Sequence, residues 1–219
     1  MDVSGKKAVI FGGTSGIGLA AAKQLATLGA RVIAISRNPD RAGDLPDGVT
    51  TMQCDVTDRD AVAKVCAACA PIATLISAAT GGSRAIGPFL EMDLDGYQDS
   101  FQKLWGYANV VRYGTEHVVD GGCITLVSGA PARNCRPGQV SLSSVGGAVE
   151  ALARAVAREI APNKRINVVS PGTIDTPMTS FVGDERKQFY ANATKNNLIP
   201  RAGSADEVAQ GIVYVVQND

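Results

Sequence analysis

Short apolar runs alternate along the chain with longer stretches in which apolar residues recur every three or four positions. Lys7–Phe11 reads as a buried strand that runs straight into glycines. Residues 17–28 then place Ile17, Ala21, Leu25 and Leu28 on one helical face and stop at Gly29, a natural C-terminal cap. Arg31–Ser36 is the second strand, residues 49–54 the third, and 58–70 the next helix. Ile72–Ser77 is a fourth strand, and a long helix over 94–119 leads into a fifth strand at 123–128. An Ala- and Val-rich helix over 140–160, a sixth strand at 166–170 and a helix over 205–216 complete the pattern. Such alternation predicts an α/β fold, a doubly wound parallel sheet with helices on both faces. Connections are short and no Pro/Ser/Gly linker divides the chain, so residues 1–219 are expected to form one domain.

Composition narrows the partners. Apolar residues make up 45% of the 219 and charged residues 19%, enough to bury a substantial core. Lys plus Arg and Asp plus Glu are each 21, so the net charge is zero and the basic excess of a nucleic-acid binder is missing. Five cysteines, an odd number scattered through the chain, argue against a disulfide framework and for a reducing compartment. Cys66 and Cys69 form a C-x-x-C inside an alanine-rich helical stretch without a second ligand pair, which reads as buried thiols; no metal site is expected. No apolar run approaches the roughly 20 residues of a membrane span, and Met1 to Gly5 lack the features of a signal peptide. A cytoplasmic protein with neither nucleic acid nor membrane as partner is expected.

Glycine carries the chemistry. Its 24 residues sit at punctuation points between apolar runs, and Gly12-Gly13-Thr14-Ser15-Gly16-Ile17-Gly18 follows the first strand and opens the first helix. Glycine lets the backbone turn tightly and approach a pyrophosphate, while unpaired N–H groups at the helix start face the anion. A mere turn has no need of Gly12, Gly16 and Gly18 together. An NAD site places an acidic residue at the end of the second strand; here Ser36-Arg37-Asn38 stands there. A guanidinium can fork onto a 2′-phosphate, so NADP(H) is favoured over NAD(H). The alternative is a solvent-exposed Arg37 and a site that takes either.

These motifs resemble the short-chain dehydrogenase/reductase superfamily across nearly the whole chain. The glycine loop is similar to its T-G-x-x-x-G-x-G. Asp55-Val56 matches the pair that holds the adenine ring, and Ser77-Ala78-Ala79-Thr80 stands where the family has N-N-A-G. Asn167 to Gly172 with Ile174 and Thr176 matches the nicotinamide-contacting segment, which adds Pro171, Gly172, Ile174 and Thr176 to the cofactor residues. Arg201-x-Gly203 with Glu207-Val208-Ala209 resembles a late family motif. The resemblance implies a Rossmann-like sheet of order 3-2-1-4-5-6, an oxidoreductase acting on a small molecule, and a homodimer or homotetramer. The family's seventh strand has no counterpart in this sequence, so either the sheet has six strands and an open edge or the chain is incomplete.

The resemblance also implies Ser, Tyr and Lys catalysts, and these are the residues that depart. Ser128 takes the first position of the usual serine pair, with Gly129 at the catalytic one. Val140 and Ser144 occupy the Tyr and Lys positions. Tyr97, Tyr107, Tyr113, Tyr190 and Tyr214 all lack a Lys four residues later, and His117 shares a helical face with Tyr113. Lys103 falls where the family has an Asn on the preceding helix. Buried there, its ammonium could serve as an altered proton donor with Ser128 as oxygen anchor; a surface lysine is the alternative. Arg133 and Arg136 lie in the loop after the fifth strand, suiting a carboxylate-bearing substrate, and residues 181–190 sit where the family has a flap. Two readings follow: an NADP(H)-dependent oxidoreductase with an atypical active site, working on a carbonyl, enone or imine, or a catalytically silent NADP(H)-binding pseudo-enzyme that regulates or scaffolds a partner.

Overall fold

The structure, a computed structural model, describes residues 1–218. Strands β1 (Lys7–Phe11), β2 (Arg31–Ser36), β3 (Val49–Gln53), β4 (Ile72–Ser77), β5 (Val118–Val127) and β6 (Arg165–Val169) form one parallel sheet in the order 3-2-1-4-5-6. Two short strands, β7 (Ile174–Asp175) and β8 (Gly203–Ser204), pair separately beyond β6. The helices are α1 (Gly16–Thr27), α2 (Arg59–Cys69), α3 (Leu94–Ser100), α4 (Gln102–Gly114), α5 (Pro131–Asn134), α6 (Val140–Ile160), α7 (Gly183–Thr194) and α8 (Ala205–Gln217).

Strand periodicity of two sorts the core into layers. Ala8, Ile10, Val32 and Ile76 point to one face and pack with Ala21, Leu25 and Ile212 of α1 and α8. Val9, Phe11, Ile35 and Leu75 point to the other, against Val62, Tyr107 and Val149 of α2, α4 and α6. Both faces are covered, which is why the strands read as continuous apolar runs rather than alternating ones. Each fully buried Ile, Leu or Phe contributes about 1.5–3 kcal/mol. Helix starts are secured locally: Asp58 accepts from the amides of Asp60 and Ala61, each at 3.0 Å, and Ser204 with Glu207 forms a capping box.

Two expectations are corrected. The helix expected over 94–119 breaks at Phe101 and ends in a 3-10 turn at Thr115–His117. At the break Ser100 Oγ donates back to the Gly96 carbonyl (2.9 Å) and accepts from the Ala85 amide (3.2 Å), a local bond that competes with helix continuation. Finally, α6 is by length and composition apolar enough to cross a membrane, contrary to the reading of the sequence. Its buried Val145, Val149 and Ala153 form a stripe, of which Val149 and Ala153 belong to the core.

The sheet order reverses between β1 and β4, so the connections leaving their carboxyl ends run to opposite faces and leave a crevice, the usual ligand position in open α/β sheets.

Candidate active site

The glycine loop lies at that crevice, and its glycines are sterically enforced. A Cβ on Gly12 would lie 2.6 Å from the Ala79 amide nitrogen, and one on Gly18 would lie 2.1 Å from the Gly12 carbonyl oxygen. Gly12 and Gly16 take φ of +79° and +50°, conformations L side chains avoid. Ser15 begins α1 without a side-chain cap, and the first turn holds no acidic residue, so the opening amides are left to an anion. Ile17 lies half-buried in that first turn. Thr176 closes over the loop: its Cβ is 3.5 Å from where a Gly16 Cβ would stand. Thr14 is buried beside it.

Around the loop stand the other residues assigned to the cofactor. Among the described residues, Ser36 and Ser77 bury hydroxyl groups without a hydrogen-bond partner, at the carboxyl ends of β2 and β4. The Ala78 amide is tied to the Phe11 carbonyl at 2.8 Å, which draws β4's exit against the glycine turn and sets Ala79 beside Gly12. Arg37 is exposed at the end of β2. Asp55 accepts from the Thr57 amide and hydroxyl at 2.9 and 2.8 Å. Burial works against its charge, but those bonds and the Arg37 guanidinium win and hold the carboxyl below its usual range. Val56 is buried and packs on Gly106 of α4, where a Cβ would come within 2.6 Å of its Cγ2. Pro171 and Gly172 leave β6, and the Pro171 carbonyl accepts from Ala130 at 2.8 Å; Ile174 follows in β7. A glycine turn with bare amides and orphaned hydroxyls around it fits the nucleotide that the sequence implies.

The catalytic candidates come from four elements on the same rim. Lys103, in the first turn of α4, is half-buried, and its Nζ lies 5.4 Å over the centroid of the Tyr107 ring. Burial first and the Arg84 guanidinium second pull its ammonium down to about 8. Tyr107 is buried, donates to the Val127 carbonyl at 2.8 Å, and its phenol is pushed up by burial. It thereby places Lys103 near the end of β5, where Ser128 follows. Ser128 is buried and donates to the Gly146 carbonyl of α6 at 3.2 Å. Val140 and Ser144 lie in the opening turns of α6, and the Ser144 hydroxyl accepts from Tyr97 of α3 at 3.1 Å.

A family model described as enoyl-(acyl carrier protein) reductase matches residues 12–219. A 3-oxoacyl-[acyl-carrier-protein] reductase of Thermotoga maritima is 32% identical, covering 100% of this chain and 93% of its own. Carbonyl reductase family member 4 of Danio rerio is 28% identical over 96% of this chain and 91% of its own. A solved structure of BdcA in complex with NADPH superimposes with a TM-score of 0.84 at 27% identity, covering 99% and 88% of the two chains. The chain belongs to the short-chain dehydrogenase/reductase superfamily.

Members of this superfamily act on small molecules and commonly oligomerise. Within its frame two features of this chain escaped the sequence. Tyr97 was set aside because no lysine follows four residues on, yet its partner comes from another helix, a contact that no local spacing can reveal. Arg84 lies in a stretch without periodicity, and its electrostatic influence on Lys103 emerges only in three dimensions. One expectation changes. Arg133 is held by the buried Glu150, with Nε 3.1 Å from Oε2, and Arg136 donates to Asn197 at 3.2 Å, so neither is a free substrate anchor. His117 pairs with Glu116 at 3.7 Å, before β5 begins and at the opposite end of that strand from the crevice.

Proposed function

We propose that this short-chain dehydrogenase/reductase is an NADP(H)-dependent oxidoreductase that acts on a small carbonyl, enone or imine with Lys103 as proton donor. The observation that carries the reading is the Lys103 ammonium: it sits on the carboxyl-end rim, over Tyr107, and is brought to about 8 by burial and by Arg84. A group in that range is mostly protonated at neutral pH yet gives up its proton far more readily than an ordinary lysine, as a general acid must. The unpartnered Ser36 hydroxyl beside exposed Arg37, with no carboxylate at the end of β2, supports NADP(H) over NAD(H). When bound, the nicotinamide supplies the hydride. The glycine loop and the first turn of α1 would hold its diphosphate, and Lys103 moves a proton to the substrate oxygen or nitrogen. Ser128 positions that atom, provided its hydroxyl turns from the Gly146 carbonyl. The absence of Tyr at Val140 and of Lys at Ser144 makes this an altered form of the superfamily's proton relay.

A second reading has its own observation. Ser128 spends its hydroxyl proton inside the protein, as a silent NADP(H)-binding pseudo-enzyme with a regulatory or scaffolding role would permit.

Fluorescence titration with NADPH and NADH tests the nucleotide, and turnover against carbonyl, enone and imine panels tests the chemistry. NADPH binding with turnover that Lys103→Met abolishes, binding retained, is the expected result. Turnover unchanged in that variant removes Lys103 from the mechanism; NADPH binding without turnover of any panel member favours the pseudo-enzyme.

A further inference from the structure

Helix α7 is exposed along most of its length, and at Arg186 and Tyr190 it turns inward a polar grip rather than an apolar stripe. The two residues stand one turn apart, with the guanidinium carbon 5.5 Å from the centroid of the ring. Arg186 uses every N–H donor it has. Its Nε donates to Asp175 Oδ1 (2.9 Å), one terminal nitrogen to the Thr179 and Phe181 carbonyls (3.0 and 3.1 Å), and the other to the Thr176 carbonyl (2.7 Å) and to Asp175 Oδ1. The buried Tyr190 grips the same stretch. Its hydroxyl accepts from the Thr176 amide (3.4 Å), shares a hydrogen bond with the Thr179 hydroxyl (2.8 Å) and donates to the Ile174 carbonyl (3.4 Å). Phe181 adds an aromatic contact, its ring 5.2 Å from that of Phe189.

We propose that Arg186 and Tyr190 are positioning residues for the nicotinamide half of the dinucleotide: they fix residues 174–181 to α7 in the place from which Thr176 closes over the glycine loop. That role rests on the nucleotide reading above, while the residues that do the holding come from the structure. Thr176 Cβ and Pro177 Cδ lie 3.5 and 3.9 Å from where a Gly16 Cβ would stand, so the segment walls the crevice beside the opening turn of α1. Its start is anchored by β7 against β8, with the Gly203 amide on the Thr173 carbonyl at 2.9 Å. Beyond Asp175 that pairing ends. Among the described residues, the hydrogen bonds that reach residues 176–181 then come from Arg186 and Tyr190, apart from the turn in which the Thr179 amide donates to the Thr176 carbonyl (3.2 Å). Thr176 has its amide held by Tyr190 and its carbonyl by Arg186, so its backbone cannot shift without breaking a bond to α7. A planar fork can tie acceptors on residues 175, 176, 179 and 181 at once, which a lysine ammonium cannot. What Arg186 supplies is therefore the place of the wall, and neither it nor Tyr190 needs to touch the nucleotide.

The test compares NADPH with 2′-phospho-ADP-ribose, which keeps both sugars, the diphosphate and the 2′-phosphate but lacks the nicotinamide. Calorimetry on the full chain gives both affinities, and NADPH fluorescence reports the surroundings of the ring. Hydrogen exchange without nucleotide reports on residues 174–181. Arg186→Gln should weaken NADPH about tenfold or more, remove most of its fluorescence enhancement, and leave 2′-phospho-ADP-ribose within about twofold. Exchange in 174–181 should quicken in that variant while β1 and α1 stay as protected as in the parent. Arg186→Lys should behave like Arg186→Gln, since the charge is kept and the fork is lost. Tyr190→Phe, which removes only the hydroxyl, should show the same split at about threefold. Equal weakening of the two ligands in Arg186→Gln overturns the positioning role, because a merely structural role does that, and so does a variant that binds both like its parent. Should Arg186→Gln not fold, Tyr190→Phe decides: the split supports the role, and an unchanged ratio of the two affinities overturns it. A parent protein that binds neither ligand defeats the nucleotide reading itself, whereas a parent that binds both, with no variant altering their ratio, defeats the positioning role alone.

Discussion

Lys103 pays twice for its position, in solvation and in repulsion from Arg84, and that cost is measurable. A lysine lowered from 10.5 to about 8 binds its proton less tightly folded than unfolded. Below pH 8 the native state therefore carries the full penalty, on the order of 3 kcal/mol. Between about pH 8 and 10.5 the unfolded chain holds more protons, so stability rises with pH until the penalty is gone. Lys103→Met should raise the melting temperature at pH 7 by several degrees, and the gain should shrink to nothing above pH 10.5. A gain that ignores pH would mean the ammonium is freely solvated. The same titration should show in the rate: reduction supported by Lys103 falls as pH rises through about 8. Thiols offer a second reading at this scale. Four of the five cysteines are buried and Cys135 is exposed; burial pushes Cys66 up to about 12 and Cys54 to about 11. A disulfide dye should therefore label one thiol in the native protein and five in denaturant. Rapid labelling of Cys66 or Cys69 in the native state would contradict the packing of α2.

At the level of elements, the glycines divide into those that fold the cofactor loop and those that do not, although their spacing in the sequence looks alike. Gly18→Ala drives a methyl group to 2.1 Å from the Gly12 carbonyl oxygen, and the turn before α1 cannot relax without moving β1. Loss of NADPH fluorescence enhancement and destabilisation of about 2 kcal/mol or more is expected. Gly147→Ala, in the middle of α6, meets nothing within 4 Å. It should stabilise the protein by about 0.5–1 kcal/mol through helix propensity alone, read from urea melts of the two variants side by side. The alternation of strands and helices was legible because period-two and period-three-to-four patterns are properties of the local chain. The break between α3 and α4 was not, since it depends on Ser100 accepting from Ala85, a partner outside the helix. Nor was the commitment of Arg133 to Glu150, which needs α5 folded back onto α6.

For the molecule as a whole, zero net charge means that nothing draws an anionic ligand from a distance. Whatever salt does to ligand affinity must then come from the few cations at the crevice. The sheet order 3-2-1-4-5-6 brings the ends of β2, β1 and β4 to one rim, so Arg37 and the exit of β4 at Ala78 and Ala79 flank the glycine loop although they are remote in sequence. That rim was foreseeable from the strand rhythm, but the charge pattern on its substrate side was not. Arg37 accordingly makes a whole-molecule prediction. If its guanidinium supplies the grip on a 2′-phosphate, Arg37→Ala should weaken NADPH about tenfold or more and leave NADH within about twofold. Raising salt from low to physiological strength should weaken NADPH more than NADH in the parent, and the difference should narrow in the variant, because exposed charges are the ones that salt screens. Fluorescence titrations of both nucleotides at two salt concentrations decide it. Equal losses for NADPH and NADH would show that Arg37 acts on the diphosphate or the fold, and the selectivity would have to arise elsewhere on the rim.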